Sequence, residues 1–160
     1  MDFVNADEIA RGLSPFQPER MAFEAGRLML KRIDELMETR RDFAFETTLS
    51  SRSILQTVHK AMERNYHVVL IFFWLPSSKQ AIRRVQRRVR EGGHNIPEET
   101  IVRRYKKGIQ NLFDLYVNAV DACFLFDNSC QTPRIIAGKT YQNTFEIIDH
   151  ERYQALRTSA

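Results

Sequence analysis

Residues 66–75, Tyr-His-Val-Val-Leu-Ile-Phe-Phe-Trp-Leu, form a nearly continuous apolar run that Pro76-Ser77-Ser78 ends. It falls well short of the ~20 residues that a membrane-spanning helix needs. Such a run reads as a strand buried on both faces of a parallel sheet. Parallel strands are joined by crossover connections, usually helices, so the flanking sequence should supply amphipathic helices.

It does. Residues 3–6 read as a short strand. Pro18 suits a first helical position, and Met21, Ala25, Leu28, Met29, Ile33, Leu36 and Met37 recur at helical spacing, predicting a helix over 18–39. Residues 42–47 read as a second strand, and 51–63 as a helix with Ile54, Leu55, Val58 and Met62 on its apolar stripe. After the 66–75 strand, Ser77 or Ser78 can cap a helix with Ala81, Ile82, Val85 and Val89 on one side. Gly92-Gly93-His94-Asn95 breaks it, and Pro97 opens a further helix to about residue 117. Residues 122–127 read as a strand, Asn128-Ser129 as a turn, and 134–137 with 145–148 as a closing antiparallel pair. This order predicts one α/β domain over 1–160, with three layers and a mostly parallel sheet. A chain of 160 residues is long enough for a real core.

The net charge of +4 is unevenly spread: residues 79–107 hold ten Lys and Arg against three Glu. Lys79, Arg83, Arg84, Arg87, Arg88 and Arg90 cover the polar side of the first helix there. Three readings stay open for this segment: a solvated face, a phosphate-binding lid, or a nucleic-acid surface. The last lacks interleaved aromatics and any recognised binding motif. The N-terminus carries acids rather than a basic region followed by an apolar stretch, which is not the pattern of a secretory signal. Cys123 and Cys130 have no metal-type spacing and read as reduced thiols of a cytosolic protein. No metal-ligand cluster and no membrane contact are expected.

Phosphoryl transfer needs a cradle for the donor phosphates, positive charge on the migrating group, and a carboxylate at the acceptor. Asp7 and Glu46 lie at or near the C-terminal ends of predicted strands, the edge where open α/β sheets bind ligands. Glu46 runs into Thr47-Thr48-Leu49-Ser50-Ser51, a hydroxyl-rich turn suited to a polar substrate. Both acids can equally be read as N-cap or first-turn residues of helices. A phosphate cradle would read G-x-x-x-x-G-K-[ST] between a strand and a helix. The chain has only Gly138-Lys139-Thr140, where Pro133 stands in place of the first glycine and no helix is predicted to follow.

Four segments together resemble the zeta-toxin family of P-loop kinases: FVNADEIARGLSP at 3–15, FAFETTLSS at 43–51, RVREGGHNIPEETIVRRY at 88–105, and Asp127-Asn128-Ser129. The resemblance runs to about residue 138 and implies a bacterial, cytoplasmic enzyme. Such an enzyme uses ATP and Mg²⁺ to phosphorylate a sugar hydroxyl of UDP-N-acetylglucosamine or a similar substrate, and is held inactive by a small helical antitoxin. By resemblance, Asp7 activates the acceptor hydroxyl, and Glu46 with Thr47 grips the substrate. Arg103 or Arg104, helped by Arg88 and with His94 in the same lid, meets the phosphates.

Family members carry a strand and Gly-Lys-Ser/Thr loop ahead of the Asn-Ala-Asp-Glu segment, and these 160 residues contain neither. The expectation is a P-loop-kinase-like domain without its first strand and P-loop, and so without transfer activity. A non-catalytic module binding a nucleotide sugar or an antitoxin is the alternative. In the family that strand lies between the one ending at Glu46 and the 66–75 strand. Each buried unpaired group would cost roughly 1–3 kcal/mol, so the domain should pair those two strands directly, recruit another segment, or stay partly unfolded.

Overall fold

A computed structural model describes residues 1–93, 95–142 and 144–159. The chain divides into two compact units, Met1–Thr47 with Arg88–Asn95, and Thr48–Arg87 with Ile96–Ala160.

The first unit holds β1 (Asp2–Val4), α1 (Ala6–Leu13), a 3₁₀ turn (Pro18–Met21), α2 (Ala22–Glu38) and β2 (Phe43–Phe45). The apolar repeat of α2 buries Ala25, Met29, Ile33, Leu36 and Met37, which form this unit's core with Val4 and Ala10. Each large aliphatic side chain so buried contributes about 1.5–3 kcal/mol. The chain leaves α2 through Arg40 at φ +54°, and the Arg41 N–H closes on the Leu36 carbonyl at 3.0 Å, ending the helix. β2 then pairs parallel to β1, with Asp2 opposite Phe43 and Val4 opposite Phe45. The Asp2 carboxylate meets Arg41 at 3.0 Å.

The second unit contains α3 (Ser53–Glu63), β3 (Val69–Trp74) and most of α4 (Ser78–Arg90). It continues with α5 (Glu98–Asn111), a turn of π-helix (Leu112–Tyr116) and α6 (Val117–Ala119). It closes with β4 (Ala122–Asp127), β5 (Arg134–Lys139), β6 (Glu146–Ile147) and α7 (His150–Thr158). Its sheet runs β3-β4-β5-β6, parallel between β3 and β4 and antiparallel thereafter. Ile109, Leu112, Tyr116, Cys123, Leu125, Ile136 and Leu156 fill the core. The α/β class and the parallel pairing expected from sequence are both present. No helix among the described residues is long and apolar enough to cross a membrane.

The strands fall into two sheets rather than one. Among the described residues β2 pairs with β1 and β3 with β4, and no pairing joins the strand ending at Glu46 to the strand of the apolar run. Burial of β3 on both faces is not borne out either: Val69, Ile71 and Phe73 are 48%, 54% and 52% exposed. Strand side chains alternate between faces. Leu70, Phe72 and Trp74 take the better covered face, opposite Cys123, Leu125 and Asp127 of β4. Continuous apolar sequence reports residue type, not which face finds a cover.

Candidate functional site

β1 and β2 end side by side, because Val4 is opposite Phe45. Asn5 and Glu46 therefore leave the sheet at the same C-terminal edge. Asn5 is extended (φ −131°, ψ 119°) and caps α1: its Oδ1 accepts the N–H groups of Asp7 at 2.8 Å and Glu8 at 3.3 Å. Its Nδ2 donates to Glu46 Oε2 at 3.1 Å. One amide thus fixes the helix start that carries Asp7 and orients Glu46. Asp7 sits in the first turn of α1, as the helix-capping reading allowed, where backbone N–H groups favour a carboxylate. Glu46 belongs to no helix. Asp7, Glu46 and Thr47 are all exposed. A shallow depression of about 510 Å³ is lined by β1, Asn5, Glu8, Ile9 and Arg32, and Asp7, Glu46 and Thr47 are not among its lining residues. Sequence reasoning assigned Asn5 no role, although an Asn followed by Asp7 and Glu8 is a helix-start signal.

Arg88 lies in the same compact unit as Asp7 and Glu46, whereas Arg103 and Arg104 lie in the other. The last turn of α4 ends on a glycine pair. Gly92 takes φ +93°, and the Gly93 N–H returns to the Arg88 carbonyl at 2.7 Å. A side chain on Gly93 would come within 2.9 Å of that carbonyl oxygen, so the bend needs glycine there. Lys79, Arg83, Arg84, Arg87, Arg88 and Arg90 are exposed, while Ala81, Ile82, Val85 and Val89 are partly covered, matching the two faces read from sequence. Arg84 donates to the Asn128 carbonyl. Arg103 and Arg104 are exposed on α5. His94 lies outside the described residues.

The hydroxyl-rich turn after Thr47 is held by the helix that carries Arg103 and Arg104. Leu49 is 2% exposed at φ +56°, a left-handed conformation that costs about 1–3 kcal/mol for such a side chain. The buried Asn111 donates from Nδ2 to the Leu49 carbonyl at 2.7 Å, and the Tyr116 hydroxyl donates to the Ser51 carbonyl at 2.8 Å. Neither residue was singled out from sequence, because a buried Asn or Tyr inside a helical pattern carries no spacing signal.

Gly138-Lys139-Thr140 forms no phosphate cradle. Gly138 and Lys139 end β5, opposite Phe124 and Cys123. A Cβ on Gly138 would meet the Cys123 carbonyl oxygen at 2.8 Å, so this glycine serves strand approach. Among the described residues no group of three His, Cys, Asp or Glu side chains is placed to hold a metal ion. The described residues include no glycine-rich Gly-Lys-Ser/Thr loop between a strand and a helix of the kind that cradles ATP phosphates.

Residues 14–132 match the family described as Zeta toxin. That stretch takes in Glu46, Thr47, Arg88, Arg103 and Arg104 and begins after Asn5 and Asp7. An uncharacterized protein of Haemophilus influenzae (strain Rd) is 29% identical over 102 residues, covering 64% of this chain and 73% of that protein. A solved chain from the PezAT chromosomal toxin–antitoxin system of Streptococcus pneumoniae matches with a TM-score of 0.63 at 12% identity. The match covers 98% of this chain but 65% of the pneumococcal one, and at that identity it speaks to the fold alone.

Proposed function

The chain belongs to the zeta-toxin family, and we propose from that membership that it is the acceptor-binding and lid portion of a small-molecule kinase. In this reading 1–160 is one kinase-like domain with 79–107 as its basic lid, acting in the cytoplasm. The acceptor is UDP-N-acetylglucosamine or a similar hydroxyl-bearing nucleotide sugar. Asp7 accepts the proton of the acceptor hydroxyl, and Glu46 and Thr47 hold the sugar nucleotide. Arg88, with Arg103 or Arg104, meets phosphate oxygens, and His94 belongs to the same lid. A small helical antitoxin is the protein partner.

The observation that carries this reading is the Asn5 bridge. A side chain that caps α1 while donating to Glu46 prepares two carboxylates at one sheet edge for a ligand with several hydroxyls. ATP with Mg²⁺ supplies the phosphoryl group in the family. The 160 residues contain no loop to cradle it, so in this account the chain alone binds acceptor and transfers nothing. Titration with ATP and Mg²⁺ tests this: the expected result is no saturable heat from a folded sample. Saturable binding lost in Arg103→Ala/Arg104→Ala would instead mean that the lid makes a phosphate site unaided, and the chain would then be assayed as an enzyme. The exposed basic face of α4 also suits nucleic acid. That reading requires oligonucleotide affinity that falls steeply with salt, and no binding at low salt ends it.

A further inference from the structure

The four-stranded sheet of the second unit has two unlike edges. β6 forms one of them with two residues, and one of these is Glu146. A short, charged edge of that kind discourages further pairing. β3 forms the other edge with six residues, Val-Leu-Ile-Phe-Phe-Trp, without a charged side chain, a proline or a bulge. The Ala122 N–H bonds to the Val68 carbonyl and the Asn128 N–H to the Trp74 carbonyl, so the even-numbered peptide groups face β4. Peptide groups alternate in direction along a strand. Those of Val69, Ile71 and Phe73 therefore point away from β4, and among the described residues nothing pairs with them. The same three residues carry the half-exposed side chains. On β4, Phe126 stacks against Phe73 with ring centroids 5.5 Å apart, which continues the apolar face.

A second copy of β3 matches this edge. Antiparallel pairing about a two-fold axis at Ile71 sets Ile71 opposite Ile71 of the second copy, and Val69 opposite its Phe73. Each facing pair exchanges two N–H···O=C bonds, about six along the seam. Their side chains, β-branched against β-branched or aromatic, are favoured cross-strand neighbours. The same axis sets His67 against Leu75 and Val68 against Trp74, so no like charges meet along the seam although the chain carries a net +4. We propose that β3 is a self-association edge, pairing antiparallel with β3 of a second copy across a two-fold axis at Ile71. A six-residue seam is about 20 Å long. It buries roughly 700 Å² over both copies, against ~1,200 Å² for the smallest specific interfaces of standard size. The dimer is therefore weak and comes apart on dilution, and its two four-stranded sheets join into one.

The test is residue-resolved amide exchange with analytical sedimentation, on the full chain over about a hundredfold range of concentration. The expected result is a monomer–dimer equilibrium. As dimer forms, the amides of Val69, Ile71 and Phe73 should gain about tenfold or more in protection, while those of Leu70, Phe72 and Trp74 stay as they were. Ile71→Lys and Ile71→Glu each set like charges across the axis and should weaken dimerisation by about tenfold or more. An equal mixture of the two variants sets Lys against Glu and should dimerise more tightly than either alone. That rescue requires a two-fold axis at residue 71. Ile71 is half-exposed, so neither substitution enters the core; should a variant fail to fold, the wild-type exchange pattern decides alone. A chain still monomeric at about 300 µM overturns the proposal. Protection of the odd-numbered amides at every concentration would mean that the same chain covers the edge. A dimer that protects no β3 amide would mean that another surface meets the second copy. Either result overturns the proposal, as do variants that dimerise like wild type or a mixture that shows no rescue.

Discussion

Substitutions at Asn5 separate two jobs that one side chain performs. Asn5→Ala removes the α1 cap and the bond to Glu46 together. Loss of an Asn cap costs about 0.5–2 kcal/mol. The Glu46 bond is solvent-exposed and adds only a few tenths. The expected destabilisation is therefore about 1–2 kcal/mol, against roughly 5–15 kcal/mol for a whole domain. At about 2–4 °C per kcal/mol for a chain near this size, Tm should fall by roughly 2–8 °C. Asn5→Ser keeps a good capping oxygen but has no amide to reach Glu46, so its urea midpoint should stay near wild type. Its affinity for UDP-N-acetylglucosamine should nevertheless fall with that of Asn5→Ala. Asn5→Asp also caps well, but it sets a second negative charge beside Glu46. Its acceptor affinity should be the lowest of the three at low ionic strength, with salt narrowing the difference. Urea denaturation gives the stability arm and calorimetry the binding arm. Equal destabilisation by Asn5→Ser and Asn5→Ala, or no loss in either, would refute the assignment of the capping role.

Three further outcomes follow from individual side chains. Burial pushes the Cys123 thiol up to about 11, with Lys139 pulling weakly the other way, whereas Cys130 is exposed; at pH 8 a thiol reagent should modify one cysteine quickly and the second only on unfolding. Asp127 is pushed up by burial, but hydrogen bonds from Ser129 and the Arg152 guanidinium together outweigh this and hold its carboxyl below the usual carboxylate value. A depressed value adds stability that is present above the ordinary carboxylate pKa of about 3.9 and is lost as pH falls through the folded value. Urea midpoints between pH 7 and 2.5 should therefore drop more steeply below pH 4 for wild type than for Asp127→Asn, and parallel curves would contradict this. Gly138→Ala should cost about 1–3 kcal/mol, because its methyl group meets the Cys123 carbonyl oxygen between paired strands; an unchanged denaturation midpoint would show that β5 can shift freely.

Much of the fold was legible because long amphipathic or apolar segments announce themselves. The repeat from Met21 to Met37 gave α2 nearly to its ends, and β4 and the β5–β6 pair fell where their apolar runs and the Asn128-Ser129 turn put them. α1 and α7 were missed because they are short and bury little, Ala10 in the first and Leu156 in the second. Their signals were the caps Asn5 and Asp149, whose side chains accept from the N–H groups that follow. The exposed face of β3 was illegible for a different reason: Val, Ile and Phe look alike whether a neighbour covers them or not. For the site, residue type and strand position pointed to Asp7 and Glu46. Asn5 acts through the N–H groups that follow it and a carboxylate 41 residues away, and Asn111 through a backbone carbonyl 62 residues away. Neither relation can be seen until the chain is folded.

The central claim is that the β1–β2 edge is an acceptor site organised around Asp7 and Glu46. Its most direct test is calorimetric titration of UDP-N-acetylglucosamine, without ATP, into the folded chain and into Asp7→Ala and Glu46→Ala. The account predicts saturable binding by the wild type and its loss in both variants. Affinity that survives both substitutions, or no binding by the wild type, would contradict it.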